Sequence, residues 1–155
     1  IAMNIVEFLK PEGIIPQLAA TTKAEVLQEL ATVISHCSPG ISQSRAWGVL
    51  NDREKIGSTG MEKGVAIPHG RMAELVRLVA CFGVSKAGVN FDARDGKPSH
   101  FFFALVAPEN SAGVHLKALS KISRIFRSDV LRESILKAAT AEQIYALISQ
   151  EDLRT

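Results

Sequence analysis

The run Gly64-Val65-Ala66-Ile67-Pro68-His69-Gly70-Arg71 places one histidine directly after a short apolar stretch. Proline cannot donate to a sheet ladder, so Pro68 marks the end or edge of a strand. His69 is then expected in a glycine-flanked turn, where Gly70, lacking a Cβ, lets another molecule approach the ring. A neutral imidazole nitrogen is a nucleophile near pH 7, and a phosphoimidazole stays reactive enough to pass its phosphoryl group on. Upstream, Gly57-Ser58-Thr59-Gly60 is a small polar loop whose backbone N–H groups can meet an anion. Arg53 precedes that loop with a permanent cation whose planar fork matches two phosphate oxygens. Nucleophile, anion loop and cation together point to phosphoryl transfer onto histidine, a reaction that asks mainly for positioning and charge neutralisation.

Taken singly, each of these residues has a plainer reading. His69 can be a surface histidine in a turn. Arg53 can be a solvated cation at a helix C-terminus, and segment 57–64 an ordinary turn. That segment is not a Walker A loop, because no Gly-Lys-Ser/Thr closes it. His115 falls in the first turn of an expected helix, in phase with Leu119 and Ile122, which alone describes a packing histidine. Lys117, Lys121 and Arg124 form a basic stripe on that helix, expected as a solvated face. His36 and His100 belong to no catalytic pattern. No H-E-x-x-H cluster offers a zinc site, and no G-x-S-x-G elbow offers a serine nucleophile.

The motifs gain force from their order. Arg53 with Gly57-Ser58-Thr59-Gly60 is followed by Ala66-Ile67-Pro68-His69-Gly70. Asp95-Gly96-Lys97-Pro98 then precedes an apolar strand, and Val106-Ala107-Pro108-Glu109-Asn110 precedes His115-Leu116-Lys117-Ala118-Leu119. The ordered set covers nearly the whole chain. It resembles the enzyme IIA family of the bacterial phosphotransferase system, of the fructose/mannitol type and most of all its nitrogen-regulatory branch. The resemblance implies a phosphocarrier with His69 as phosphoacceptor, Arg53 and His115 beside it, and Ser58, Thr59, Gly60 and Gly70 around the phosphate. It implies an HPr-like phosphohistidine protein as donor and a regulated protein downstream, with no cofactor and no metal. Two alternatives stand beside it: a sugar-specific IIA component passing phosphate to a IIB cysteine, and an interaction module of the same fold that is not phosphorylated. The third rests on a departure from the family pattern. Glu62-Lys63 stands where the family has glycine and a small polar residue, and Glu62 would bring negative charge toward the expected phosphate.

Composition fits this reading. The chain has 155 residues, 46% hydrophobic and 22% charged, enough for one domain, expected over 1–155, with a sizeable core. Ile1-Ala2 is expected to be a cloning scar, with the natural start at Met3. A net charge of +2 gives no ground for a nucleic-acid partner. No apolar run approaches the roughly 20 residues that span a bilayer, and no signal peptide is visible. Direct membrane insertion is therefore not expected. Cys37 and Cys81 have no metal-binding or redox spacing, so both are expected to be free thiols in a cytoplasmic protein.

The elements that must position these residues follow from pattern. A short strand is expected over 13–19. Thr22 and Glu25 form a capping box that starts a helix carrying Val26, Leu27, Leu30, Val33 and Ile34. Ser42 caps a second helix, expected to end near Arg53. Strands are expected at 65–67, 75–85 and 99–107, the longer two being apolar on both faces. Helices are expected over 112–126 and 129–138, and a third starts at the Thr140 capping box. The fold class is therefore α/β, a small mixed sheet with helices on both faces.

Overall fold

Thr22 accepts the Glu25 N–H while the Glu25 carboxylate accepts the Thr22 N–H, and helix α1 (Lys23–Cys37) starts there in the computed structural model, which describes residues 3–155. The expectation for Ile1 and Ala2 lies outside the described residues. Ser42 caps α2 (Gln43–Ile56) and Thr140 caps α5 (Ala141–Arg154) by the same side-chain bond to the third residue on. Between them lie α3 (Ala112–Ile125) and α4 (Asp129–Lys137).

Five strands form one mixed sheet: β1 (Ile14–Ile15), β2 (Val65–Ala66), β3 (His69–Met72), β4 (Val79–Val89) and β5 (Ser99–Pro108). Their order is β1-β4-β5-β2, with β3 also paired to β5. Only β4 and β5 are antiparallel. Val65 pairs with Phe101 and His69 with Leu105, so the register does not change across Ile67-Pro68. β2 and β3 are therefore one edge strand interrupted at a proline. The edge is where a missing N–H is tolerated, and the Pro68 carbonyl still accepts the Leu105 N–H at 2.9 Å.

Side-chain alternation along β5 builds two cores. Phe101, Phe103 and Leu105 join Phe82 and Val84 against α3, α4 and α5. Phe102, Ala104 and Val106 join Cys81 against α1 and α2. Fully burying one such phenylalanine contributes about 2–3 kcal/mol. The architecture is the expected α/β sheet covered on both faces.

Several boundaries differ from the sequence expectation. β1 has two residues because Pro16 cannot extend the ladder. β4 starts at Val79, after a turn in which the Leu75 N–H meets the Met72 carbonyl. It runs past Ser85 through a bulge eased by the positive φ of Gly88. α2 continues to Ile56, so Arg53 lies within its last turn. The basic stripe is broken. Lys121 is buried, with its ammonium 3.4 Å from an Asp152 carboxylate oxygen and donating to the Asp152 carbonyl. The other Asp152 oxygen accepts the Ile5 N–H at 2.7 Å, so this pair ties the N-terminal turn to α3 and α5. Cys37 is exposed and Cys81 buried, both free.

Candidate functional site

Alternation along the interrupted edge strand decides what each residue can reach. Val65 and Ile67 face the α3 side, and His69 and Arg71 continue that row. Ala66 and Met72 face α1 and α2, and Gly70 shares their side. His69 therefore opens a strand rather than sitting in a turn. The role expected for Gly70 also changes. A Cβ there would collide with a Val49 methyl, so the missing side chain admits helix α2 to the strand. Gly70 still lines the depression beside His69.

That depression has a volume of about 640 Å³ and lies between β3, the C-terminal half of α2 and the start of α3. His69 and Arg71 come from β3, Arg53 and Ile56 from α2, and His115 and Leu116 from α3. The structure thus brings together Arg53, His69 and His115, which are far apart in sequence. The imidazole rings of His69 and His115 meet edge to face with centroids 5.4 Å apart.

The tautomer of His69 follows from one hydrogen bond. Its Nδ1 is 2.7 Å from the Ile67 carbonyl oxygen. A carbonyl only accepts, so Nδ1 carries the proton and Nε2 keeps its lone pair. Burial holds the His69 pKa below the ordinary histidine value, opposed by the Ile67 bond; the Arg53 charge lowers it further and the Glu54 charge raises it. The ring is therefore neutral at pH 7 with Nε2 available as a nucleophile.

His115 packs into the core and also lines the depression. It shares the core-facing stripe of α3 with Ala118, Ile122 and Ile125, and it is 8% exposed. Its Nε2 is buried without a hydrogen-bond partner. Burial first, then the charges of His69 and Arg71, lowers its pKa to about 4. The folded protein therefore binds fewer protons here than the unfolded chain, so this residue's contribution is complete above about pH 6.5 and is lost as pH falls toward 4. The loss amounts to on the order of 3 kcal/mol. Chemical denaturation at stepped pH should show wild-type stability falling across that window and a His115→Gln variant falling less. Parallel curves would exclude His115 as the source.

Charge around the depression is uneven. Arg45 at its margin is committed to Glu74, with Nε 2.7 Å and Nη2 3.2 Å from the two carboxylate oxygens. Among the described residues Arg53 donates only to the Gly57 carbonyl, at 2.9 Å, closing the C-terminus of its own helix. Arg71 makes no side-chain bond among the described residues. The sequence reading missed Arg71, although period-2 alternation from His69 places it on the same face. Ile56 and Leu116, 83% and 68% exposed, add an apolar margin.

The expected anion loop does not join the site. Ser58 donates its hydroxyl to the Phe91 carbonyl at 2.8 Å and accepts the Gly60 N–H at 3.0 Å. The Thr59 N–H and hydroxyl both donate to Glu54, at 2.8 and 2.5 Å. Glu54 is buried and also paired to Lys23 at 2.8 Å. A buried carboxylate needs such partners, and it has taken the loop's donors. Ser58, Thr59 and Gly60 line none of the depression. Glu62 and Lys63 line a different cleft, so Glu62 does not set its charge against His69.

Fold and site together define a small α/β domain with a histidine pair beside Arg53 and Arg71 at one sheet edge. The chain belongs to the EIIA type 2 family of the phosphoenolpyruvate-dependent sugar phosphotransferase system, whose family model matches residues 7–151. It is 34% identical over 147 residues to a nitrogen regulatory protein of Bradyrhizobium diazoefficiens, covering 95% of each chain. The crystal structure of the nitrogen regulatory protein IIA-Ntr from Neisseria meningitidis superposes with a TM-score of 0.86 at 36% identity, over 93% of this chain and 98% of that one. A fructose-specific EIIABC component of Bacillus subtilis is 31% identical over 150 residues, 97% of this chain but 24% of that protein. Among the described residues no helix is long and apolar enough to cross a membrane.

Proposed function

We propose that this chain is a cytoplasmic phosphocarrier of the nitrogen-regulatory kind, with His69 Nε2 as phosphoacceptor. The observation that carries the proposal is the Nδ1–H bond to the Ile67 carbonyl, which leaves Nε2 unprotonated in a depression shared with Arg53, Arg71 and His115. The donor is an HPr-like phosphohistidine protein. The Nε2 lone pair forms the new N–P bond as the donor's N–P bond breaks and its electron pair returns to the donor imidazole. The proton stays on Nδ1, donated in a hydrogen bond to the Ile67 carbonyl, throughout. Arg53 and Arg71 offset charge on the phosphoryl oxygens. His115, neutral at pH 7, turns a ring N–H toward them and keeps its buried nitrogen from remaining unpaired.

The exposed Ile56 and Leu116 suit a surface that several partners dock on and leave. The phosphate adds about −1.5 to −2 charges there, enough to sort partners by repulsion without moving the backbone. Relatives named nitrogen regulatory proteins support a regulated protein as the downstream partner. The likeness to the EIIA part of a fructose-specific protein supports a second reading, transfer to a IIB cysteine. Incubation with phosphoenolpyruvate, enzyme I and an HPr-like donor, followed by intact-mass spectrometry, tests the acceptor function. One phosphate per chain is expected, labile in acid and stable in base, and its absence with a competent donor overturns the proposal. Adding a IIB protein separates the two readings, since only a transport component gives up its phosphate to it.

A further inference from the structure

Glu62-Lys63, the departure from the family pattern, lies in a second cleft of about 330 Å³ that shares no residue with the His69 depression. Lys63 holds φ at +62°, a left-handed conformation that glycine adopts at lower cost. The strain is fixed from outside: the Lys63 N–H donates to the Asp95 carboxylate at 3.2 Å. A non-glycine residue kept in such a conformation is a pointer toward function. Two arginines reach the same cleft from elsewhere in the chain, Arg94 from the β4–β5 connection and Arg127 from the turn between α3 and α4. Among the described residues, none of these three cations has a side-chain hydrogen bond or ion pair. Ser123 adds a hydroxyl, and Phe126 with Val65 forms an apolar floor.

We propose that this cleft is a binding site for a small phosphorylated molecule, independent of phosphoryl transfer at His69. Three cations converge there against Glu62 in the lining and Asp95 on the Lys63 N–H, which leaves the cleft basic. Two guanidinium forks and an ammonium suit the several oxygens of a phosphate or diphosphate better than one carboxylate. Ser123 supplies a further donor, and the floor takes an apolar portion. The volume falls within the range of small-molecule sites and is too small for a folded partner.

Pyrophosphate and citrate serve as probes in separate amide NMR titrations at matched ionic strength, using the protein with Arg53→Ala and Arg71→Ala to remove the cations of the other anion site. Pyrophosphate should shift Lys63, Arg94, Ser123 and Arg127 saturably, with a dissociation constant below about 1 mM. Arg94→Gln with Arg127→Gln should weaken it at least tenfold without changing the melting temperature. Lys63→Gly should weaken it as well while the protein melts no lower, since glycine relieves the strained φ. Absence of saturable shifts, shifts that survive all three substitutions, or citrate binding as tightly as pyrophosphate would each overturn the site. A single-stranded oligonucleotide displacing pyrophosphate at far lower concentration would also overturn it, in favour of nucleic acid.

Discussion

His69→Ala should take no phosphate at all, while His36→Ala and His100→Ala are labelled like the wild type. The control at His100 is demanding. Its Nδ1 lies 2.9 Å from the Ser85 carbonyl, so it has the same tautomer as His69 and the same free Nε2. What sets it apart is its place: His100 lies outside the depression that Arg53, Arg71 and His115 share with His69. Nucleophilicity alone would predict labelling at both residues; nucleophilicity with charge neutralisation predicts one. The measurement is intact mass after incubation with the donor chain, followed by peptide mapping under neutral conditions. Phosphate remaining on the His69→Ala protein would remove His69 from the reaction. The substitution should fold, because His69 is half-buried at a sheet edge and its one hydrogen bond goes to a backbone carbonyl.

The parts of this architecture that were legible in the sequence are those governed by local chemistry. Thr22 with Glu25, and Thr140 with Gln143, mark helix starts because capping is settled within four residues. The unbroken apolar run through Phe101-Phe102-Phe103 marks a strand covered on both sides because both faces must be filled. What sequence could not supply is competition between distant groups. Gly70 looked like space for a ligand, and only the packing of α2 shows that Val49 occupies it. Ser58 and Thr59 looked like donors waiting for an anion, and only the fold brings buried Glu54 and the Phe91 carbonyl to claim them. Lys121 looked like one of three solvated cations, and Asp152, far along the chain, draws it inside. His115 is ambiguous for a physical reason: it packs in the core and lines the depression at once, placed where the α3 stripe runs out against His69. Arg71 was legible through alternation, provided the strand was seen to resume after Pro68.

Arg53→Ala should slow phosphoryl transfer to His69 by two to three decades while leaving the fold intact. Removing one preorganised donor from developing charge costs about 2.7–4 kcal/mol in comparable sites, which corresponds to that range. The fold should survive because Arg53 has one structural bond, to the Gly57 carbonyl at a helix C-terminus, and losing such a cap costs less than the core terms. That same bond gives the prediction its direction. The guanidinium rests on the end of its own helix, one turn from the loop, and can leave a single neutral carbonyl for a phosphate carrying two charges. Arg71 lines the same depression from the strand, so Arg53→Ala with Arg71→Ala should lose more than either alone. Arg53→Lys should recover only part of the rate, since an ammonium restores charge but not the planar fork. Single-turnover transfer from the phosphorylated donor, measured by quench and intact mass, separates these cases. A near wild-type rate in Arg53→Ala, with its melting temperature unchanged, would leave Arg53 as a helix-terminal cap and shift the clamp to Arg71.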